Sequence, residues 1–365
     1  MLYRWAAKPL LFRMDPEKAH HLTIAGLTGA ASVPGMLPLM HAMYGVPERP
    51  ELAVKLWGCE FPNPVGLAAG LDKNGVAVPG LAAIGFGFLE VGTVTPRPQP
   101  GNPQPRLYRL PEDGALINRM GFNNEGAGRM KQALGRLRTR PVPVCVNIGK
   151  NKDTPNEQAE EDYRACIREL YPEADLFAIN ISSPNTPGLR SLQHGEELRR
   201  LLGAVREEMD AERKLHGGEA KAFLLKIAPD LTDEELEQVA ETALAAGVSG
   251  MIATNTTLDR SGLQHRNAGE SGGLSGRPLT KRSHEVIRRL YKLTGGRIPL
   301  VGSGGIFTAD EAYERIRAGA SLVEIYTALI YEGPELLRKL NDGLAMRLKA
   351  DGFRHISEAV GSGQP

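Results

Sequence analysis

The stretch PLVGSGGIFTADEA, residues 299–312, decides the fold class. It begins as a buried strand, passes through Gly302, Gly304 and Gly305, and opens a helix at Thr308, a residue type that caps helix starts. Bare backbone N–H groups and a helix N-terminus therefore point at one spot, which predicts an anion site, most simply for phosphate. The alternative is that these glycines serve only a tight turn. In an open nucleotide-binding sheet such a cluster follows the first strand, whereas β/α barrels bind phosphate after their last strands.

The chain before and after this stretch repeats one pattern of segments. From about residue 50, apolar strand-like runs alternate with amphipathic stretches that are long enough for helices. Alternation of this kind predicts a parallel sheet, and eight units close into an α/β barrel of the (β/α)8 TIM type. An open doubly wound sheet is the alternative, but no GxGxxG turn follows the first strand. The eight predicted strands are residues 64–68, 88–93, 144–149, 176–181, 223–228, 250–255, 299–304 and 322–326.

Composition excludes several classes of protein. The 44 basic side chains almost cancel the 43 acidic ones, so nothing indicates a nucleic-acid partner. The three cysteines share no CxxC spacing, and the eight histidines form no HxH or HExxH pattern. We therefore expect no disulfide framework and no metal site.

The chain divides into three predicted regions. Residues 44–349 carry the barrel, and residues 350–365 look like a disordered tail. Residues 1–43 contain two predicted short helices, at about 3–12 and 16–31, with apolar faces. These helices either pack on the barrel or lie on a membrane surface.

The membrane interpretation of residues 1–43 depends on charge and proline. Residues 22–40 carry no charge and are nearly long enough to span a bilayer, but Pro34 and Pro38 would break such a helix. Trp5 and nearby basic residues suit the headgroup level instead. Because no secretory signal precedes them, we expect peripheral contact at the cytoplasmic face of the cell membrane.

Polar residues follow almost every predicted barrel strand. In a barrel the strand ends and the loops after them build the active site, so this ring predicts a ligand pocket. Side-chain amides match a cyclic imide or urea, and Lys73 supplies a positive charge for a carboxylate, although each Asn alone could simply form a turn. The ring comprises Lys73, Thr93, Asn147, Asn180, Ser183, Asn185, Lys226, Thr254, Asn255, the glycine cluster, Tyr326 and Thr327, and Asn118 in INRMGFNN is a further candidate amide.

Two members of the ring are candidates for a role in the chemical reaction. Lys226 ends an apolar strand, where it could form a Schiff base, stabilise negative charge on a cofactor, or make a structural salt bridge. Ser183 lies in NISSPNTPG, residues 180–188, with no GxSxG elbow around it. It is therefore a candidate general base rather than an acyl-transfer nucleophile, with a purely structural Ser–Pro turn as the alternative.

Nine motifs together resemble one family. They are AAGLDKNG, EVGTVTPRPQPGNPQPRLYRL, NRMGFNNEG, VNIGKNKDTP, NISSPNTPGLR, LKIAPDL, IATNTTLDR, GGLSGRPL and GASLVEIYTALIYEGP, in this order. Across about residues 2–340 the chain resembles the quinone-dependent, class 2 dihydroorotate dehydrogenases. The resemblance implies an FMN-containing barrel that oxidises (S)-dihydroorotate to orotate in pyrimidine (UMP) biosynthesis and passes electrons to a membrane quinone.

The resemblance also implies roles for individual residues. Ser183 would be the base that removes a proton from C5 while hydride leaves C6 for the flavin N5; the class 1 enzymes have Cys there. Lys226 would stabilise reduced flavin, and His20, Arg106 and Tyr326 would line a quinone tunnel. FMN would contact Ala69, Gly70, Leu71, Asp72, Lys73, Thr93, Asn147, Asn180, Lys226, Thr254, Gly276, Gly305, Tyr326 and Thr327. Substrate would contact Lys73, Asn118, Arg119, Met120, Gly121, Phe122, Asn180, Asn185, Asn255 and Thr256.

Two other functions stay open on the sequence alone. One is a Schiff-base lyase that uses Lys226. The other keeps the flavin chemistry but makes residues 1–43 a partner-docking helix pair, with fumarate or a nicotinamide nucleotide as a soluble electron acceptor.

Overall fold

Eight parallel strands close into a barrel at the centre of the molecule. The computed structural model describes residues 3–137 and 139–364. In the barrel each strand pairs with the next one along the chain, and the last pairs with the first. All eight predicted strands and the TIM-type barrel are confirmed. The barrel strands are β3 (Val65–Leu67), β4 (Phe88–Val94), β7 (Val144–Ile148), β8 (Leu176–Asn180), β9 (Ala222–Ile227), β10 (Gly250–Ala253), β12 (Leu300–Ser303) and β13 (Ala320–Ile325).

The barrel strands are buried on both faces. Every residue of β4, β7, β8 and β9 is buried, because one face fills the barrel interior and the other packs under helices. This double burial explains why these strands appear in the sequence as continuous apolar runs rather than as alternating patterns. The few polar side chains within them are therefore conspicuous.

Helices surround the barrel. Thr308 caps one of them with a reciprocal capping box, in which its Oγ1 accepts from Glu311 N at 3.2 Å and Glu311 accepts from Thr308 N at 2.9 Å. The predicted helix start at Thr308 is thus confirmed. The helices after the N-terminal region are α4 (Val78–Ala83), α5 (Ala127–Gly135), α6 (Ala159–Leu170), α7 (Gly195–His216), α8 (Asp233–Ala245), α9 (Thr280–Thr294), α10 (Ala309–Arg317), α11 (Thr327–Glu332), α12 (Glu335–Ala350) and α13 (Ile356–Ala359).

Two small antiparallel sheets accompany the barrel, and the sequence did not predict them. One is a hairpin of β1 (Val54–Leu56) and β2 (Cys59–Phe61). The other has the strand order β11-β6-β5, with β5 (Leu107–Leu110), β6 (Ala115–Asn118) and β11 (Gly273–Gly276). Each strand has only three or four residues, too few to establish a periodicity.

Three helices precede the barrel. A π-helical turn, Tyr3–Ala7, continues into α1 (Lys8–Arg13), and α2 (Pro16–Ser32) begins after its cap Asp15. These elements confirm the two predicted helices, whereas α3 (Met36–Tyr44) was not predicted. Helix α2 packs against α4 and β5, so this region is attached to the barrel. None of the helices in the described residues is both long and apolar enough to cross a membrane.

The predicted disorder of residues 350–365 is wrong for residues 350–364; Pro365 lies outside the described residues. Helix α12 continues to Ala350, and the short α13 follows with Ile356 and Ala359 buried. Gln364 Nε2 donates to the carbonyl oxygen of Ala318 at 2.7 Å. The tail is mostly polar in composition, so the sequence pattern did not reveal these two apolar residues. Their burial holds the tail on the barrel.

Candidate active site

A large cavity opens at the carboxyl ends of the barrel strands. Its empty volume, which includes space open to solvent, is about 1180 Å³. Of the predicted site residues, its wall contains His20, Ala69, Gly70, Lys73, Thr93, Asn118, Met120, Gly121, Phe122, Asn180, Ser183, Asn185, Lys226, Thr254, Asn255, Thr256, Gly276, Gly305, Tyr326 and Thr327.

Three predicted cofactor residues lie behind this wall rather than in it. Asp72 accepts from the backbone N–H groups of Val76 and Ala77, at 3.0 and 2.7 Å, and so holds the loop that carries Lys73. Leu71 faces a second, apolar cavity. Asn147 lies behind the wall and supports the cavity through the residues that it contacts. These residues shape the cavity without lining it.

Arg119, a predicted substrate residue, also lies outside the wall. Its Nη1 donates to Glu270 Oε2 at 2.7 Å, and its Nη2 donates to the hydroxyl of Tyr108. It follows β6, whose Asn118 lines the cavity, and successive side chains of an extended segment point to opposite sides. The Arg119 side chain thus points away from the cavity, and a substrate contact of Arg119 stays a prediction.

The predicted anion site lies at one end of the cavity. Gly304 and Gly305, with φ of 107° and 73°, line it together with Tyr326 and Thr327. A side chain at Gly305 would collide with the backbone of Thr280, where α9 begins. Only glycine lets the chain approach the start of α9 this closely, so packing and the positive φ both require glycine at this position.

The four predicted amide side chains converge as two pairs. Asn255 Nδ2 donates to Asn180 Oδ1 at 3.3 Å, and Asn185 Nδ2 donates to Asn118 Oδ1 at 3.2 Å. Ser183 is buried between the pairs, and its Oγ accepts from Asn185 N at 3.3 Å. The donor and acceptor atoms of this group suit a ring that carries both N–H and C=O groups.

Lys226 sits on the barrel side of the cavity with two carboxyl neighbours. Its Nζ lies 2.5 Å from Glu90 Oε2 and 3.7 Å from Glu324 Oε2. Burial alone would lower the pKa of Lys226, but the two carboxyls outweigh burial and raise that pKa above its ordinary value. Lys226 is therefore an ammonium ion in this site.

Glu90 and Glu324 are functional residues that the sequence interpretation missed. Each interrupts an apolar strand, in FLEVGT and in LVEIY, and both are buried. A charged residue inside a run that is buried on both faces is the signal that would have found them.

Lys73 lines the polar cavity near His20, which belongs to the walls of both cavities. Burial lowers the pKa of Lys73 to about 8, with Arg106 lowering it further and Glu17 and Asp72 opposing. Burial also lowers the pKa of His20 to about 3, with smaller effects from Lys73 and His21 in the same direction. His20 is thus neutral at physiological pH, whereas Lys73 titrates slightly above it.

The apolar cavity lies between the N-terminal helices and the barrel. Its empty volume is about 1180 Å³, and His20 and Tyr326 belong to the walls of both cavities. Its wall is otherwise mostly apolar and includes Leu11, Phe12, Ala19, Leu27, Met40 and Leu329. The two cavities therefore share a boundary at His20 and Tyr326.

The arginine in the apolar cavity is Arg109, not the predicted Arg106. Leu107 and Arg109 lie in the cavity wall and share one face of β5 because side chains alternate along a strand. Arg106 comes immediately before the strand, faces the other way and binds Glu17 at 2.7 Å. The prediction of Arg106 as a tunnel-lining residue is wrong for this reason.

The fold and the site define a class of protein. A closed β/α barrel whose strand ends carry a glycine cluster, paired amides and two lysines around one cavity is typical of a barrel enzyme with its ligand site at this mouth. Within the described residues, no three His, Cys, Asp or Glu side chains group closely enough to hold a metal ion.

Comparison with known proteins identifies the family. The sequence profile of the dihydroorotate dehydrogenase family matches residues 51–348, and the chain belongs to this family. Two similar proteins, from Deinococcus deserti and Deinococcus radiodurans, are named dihydroorotate dehydrogenase (quinone). They are 55% and 53% identical to this chain, over 99% and 98% of it and 99% of each relative.

Solved structures agree with this assignment. A dihydroorotate dehydrogenase from Eimeria tenella in complex with ferulenol superimposes with a TM-score of 0.85 at 41% identity, covering 95% of both chains. The ligand-free type of the Eimeria tenella enzyme gives a TM-score of 0.83 at 42% identity, covering 95% of this chain and 99% of that one.

Proposed function

We propose that this protein is a quinone-dependent dihydroorotate dehydrogenase of pyrimidine (UMP) biosynthesis, which oxidises (S)-dihydroorotate to orotate and delivers the electrons to a membrane quinone. The observation that carries the proposal is one cavity that joins Ser183, two amide pairs and Lys73 to the glycine cluster of Gly304 and Gly305. Family membership and the quinone-dependent relatives support it independently.

The cofactor that fits the cavity is FMN, one per chain. Within the part of the chain that the structure describes, Thr254 Oγ1, Thr256 Oγ1 and both carboxyl oxygens of Glu324 are buried without a hydrogen-bond partner, and all three residues line the cavity. Buried polar atoms of this kind need a polar ligand to satisfy them. Gly276, Gly305, Tyr326 and Thr327 would hold the phosphate, and Ala69, Gly70, Thr93, Asn180, Lys226 and Thr254 would hold the rest.

Bound FMN supplies the hydride acceptor and passes electrons onward. The protein's part is to hold the dihydropyrimidine and remove one proton. Asn118, Asn180, Asn185 and Asn255 pair with the ring N–H and C=O groups, and Lys73 binds the carboxylate.

Ser183 is the proposed base for C5 of the substrate. Its Oγ accepts a hydrogen bond from Asn185 N, which orients the hydroxyl within the amide group. The buried position excludes bulk water from this proton transfer.

The apolar cavity is the proposed quinone site. It adjoins the polar cavity at His20 and Tyr326, so a quinone there would lie close to the flavin. Exposed apolar side chains on the surrounding helices favour peripheral contact with the cytoplasmic face of the cell membrane. They are Trp5, Leu10, Leu22, Val33, Leu39 and Met43.

The visible spectrum of the purified protein tests cofactor and substrate together. We expect the absorbance of an oxidised flavin, bleached by dihydroorotate in the absence of oxygen and restored by a soluble quinone analogue. A colourless protein that binds no added FMN, or a flavin that dihydroorotate does not bleach, would contradict the proposal. Restoration by fumarate or a nicotinamide nucleotide instead of quinone would favour the soluble-acceptor alternative.

The Schiff-base lyase is disfavoured by the state of Lys226. A lyase needs a neutral amine, whereas Glu90 lies 2.5 Å from Lys226 Nζ and helps to keep it protonated. Borohydride treatment in the presence of a carbonyl substrate should therefore trap no adduct at Lys226.

A further inference from the structure

Glu90, Lys226 and Glu324 form a buried charge cluster beneath the cavity. Their exposed fractions are 0%, 4% and 1%, and they come from the barrel strands β4, β9 and β13. The cluster contains two acids and one base. One ammonium group balances one carboxylate, so the protonation state of the second acid decides the net charge under the cofactor.

The hydrogen bonds around Glu90 are those expected of an ionised carboxylate. It accepts from Asn147 Nδ2 at 2.6 Å, from Ala69 N at 2.7 Å and from Lys226 Nζ at 2.5 Å. Three donors aimed at two oxygens stabilise a carboxylate and leave a protonated acid no acceptor for its hydrogen.

Glu324 has the opposite environment. Neither of its oxygens accepts a well-formed hydrogen bond, and its approach to Lys226 is 3.7 Å, beyond hydrogen-bond distance. Glu90 and Ser303 are its other polar neighbours. Burial is the main cause that raises the pKa of Glu324 well above its ordinary value; Glu90 raises it further, against weaker opposing effects of Lys226 and Ser303. A buried carboxylate without donors takes up a proton rather than stay charged.

Glu324 also lines the cavity, beside Lys226 and its strand neighbour Ser303. A protonated carboxyl has one O–H to donate, and the oxygens of the neighbouring Glu90 already accept from Asn147, Ala69 and Lys226. The flavin ring presents carbonyl oxygens and ring nitrogens as acceptors. An acceptor on the molecule that fills the cavity would therefore satisfy the buried donor.

We propose that Glu324 is a neutral carboxylic acid in the holoenzyme and donates a hydrogen bond to the bound flavin. This inference rests on the proposed function, since it takes FMN as the occupant. Glu324 is then a positioning residue that holds the ring next to the Lys226 ammonium, while Glu90 alone balances that ammonium. The cluster has no net charge.

Three variants of the cluster test the assignment. Glu324→Gln keeps a neutral donor of the same size, so we expect FMN affinity within about threefold of wild type and an unchanged flavin midpoint potential. Glu324→Leu removes the donor and should weaken FMN binding about tenfold, the scale of one hydrogen bond, and shift the potential. Glu90→Gln removes a charge that Lys226 requires, so it should shift the potential where Glu324→Gln does not.

Infrared difference spectroscopy reads the protonation state directly in the unmodified chain. With carboxyl-labelled glutamate, the wild-type holoenzyme should show an isotope-sensitive carboxylic acid C=O band, which is absent in Glu324→Gln. The proposal is overturned if this band is missing, or if Glu324→Gln alters affinity and potential as much as Glu324→Leu does. A protein that binds no FMN would overturn the proposed function as well as this inference. A protein that binds FMN but lacks the band would overturn this inference alone, so the two failures are distinguishable.

Discussion

Arg106 and Glu17 join the barrel to the N-terminal helices through a buried ion pair. Arg106 Nη2 lies 2.7 Å from Glu17 Oε1, and Arg106 Nε donates to both oxygens of Glu17 at 3.1 and 3.2 Å. Burial alone would raise the pKa of Glu17, but the hydrogen bonds and charge of Arg106 lower it below its ordinary value. Arg106 also donates to the carbonyl oxygens of Pro100 and Asn102. This pair therefore fixes α2 on a loop at the active-site end of the barrel.

Replacing Glu17 by Gln should release the N-terminal helices. The change leaves a buried arginine without its counter-charge, which we expect to cost about 3 kcal/mol of local stability. Hydrogen exchange should then accelerate in α2, while FMN stays bound. Glu60→Gln is the control, because the Lys55–Glu60 pair is exposed and should have no measurable effect on exchange in α2. Unchanged protection of α2 in Glu17→Gln would contradict this role of the pair.

Replacing Ser183 by Ala should leave FMN bound and slow flavin reduction by dihydroorotate at least about a hundredfold, the usual scale for loss of a general base. Stopped-flow absorbance measures this step separately from quinone reduction. Ser191→Ala is the matched control in the same loop, since the Ser191 hydroxyl donates to Gly188 O away from the cavity. Normal flavin reduction in Ser183→Ala would refute the assigned base.

Substrate capture should weaken above about pH 8. The pKa of Lys73 is about 8, so its charge is present below that pH and is lost above it. Because the charged form binds the carboxylate, kcat/KM for dihydroorotate should fall by up to about tenfold per pH unit on the alkaline side.

Lys73→Gln should remove this alkaline limb and lower kcat/KM at neutral pH. Lys131→Gln is the control, because Lys131 pairs with Glu169 on the surface, and its profile should match wild type. An alkaline limb that persists unchanged in Lys73→Gln would assign the limb to another group.

Filling the apolar cavity should block reduction of quinone without affecting reduction of the flavin by dihydroorotate. Ala19→Phe places a larger side chain in the cavity wall on α2, so we expect loss of most quinone reduction with normal flavin reduction by dihydroorotate. Ala25 on the same helix is exposed, so the Ala25→Phe variant is the control and should reduce quinone normally. Full quinone activity in Ala19→Phe would mean that the acceptor binds elsewhere.

The sequence alone predicted the barrel because its strands are buried on both faces. Such strands need uninterrupted apolar residues, as in LFAIN of β8, and the helices between them need a period near four. The short strands β5, β6 and β11 lacked this signal and were missed. The tail around Ile356 was missed because two buried residues are too few to form a pattern.

The position of the polar site also followed from sequence order. Residues at the carboxyl ends of parallel strands meet at one mouth of a barrel, so Asn180, Lys226 and Asn255 were predicted together from strand positions alone. The amide chemistry of Asn180 and Asn255 needed no coordinates, whereas the ammonium state of Lys226 followed only from its contact with Glu90.

Only the tertiary structure decided which side chains face each other. Glu90 and Lys226 are far apart along the chain, and barrel closure brings them to 2.5 Å beside an unpartnered Glu324. Likewise, where β5 begins determines that Arg109 enters the apolar cavity and that Arg106 turns to Glu17. Sequence patterns determine which segments are buried and where strands end, whereas pairing across the barrel depends on register and side-chain direction, which arise only when the strands close.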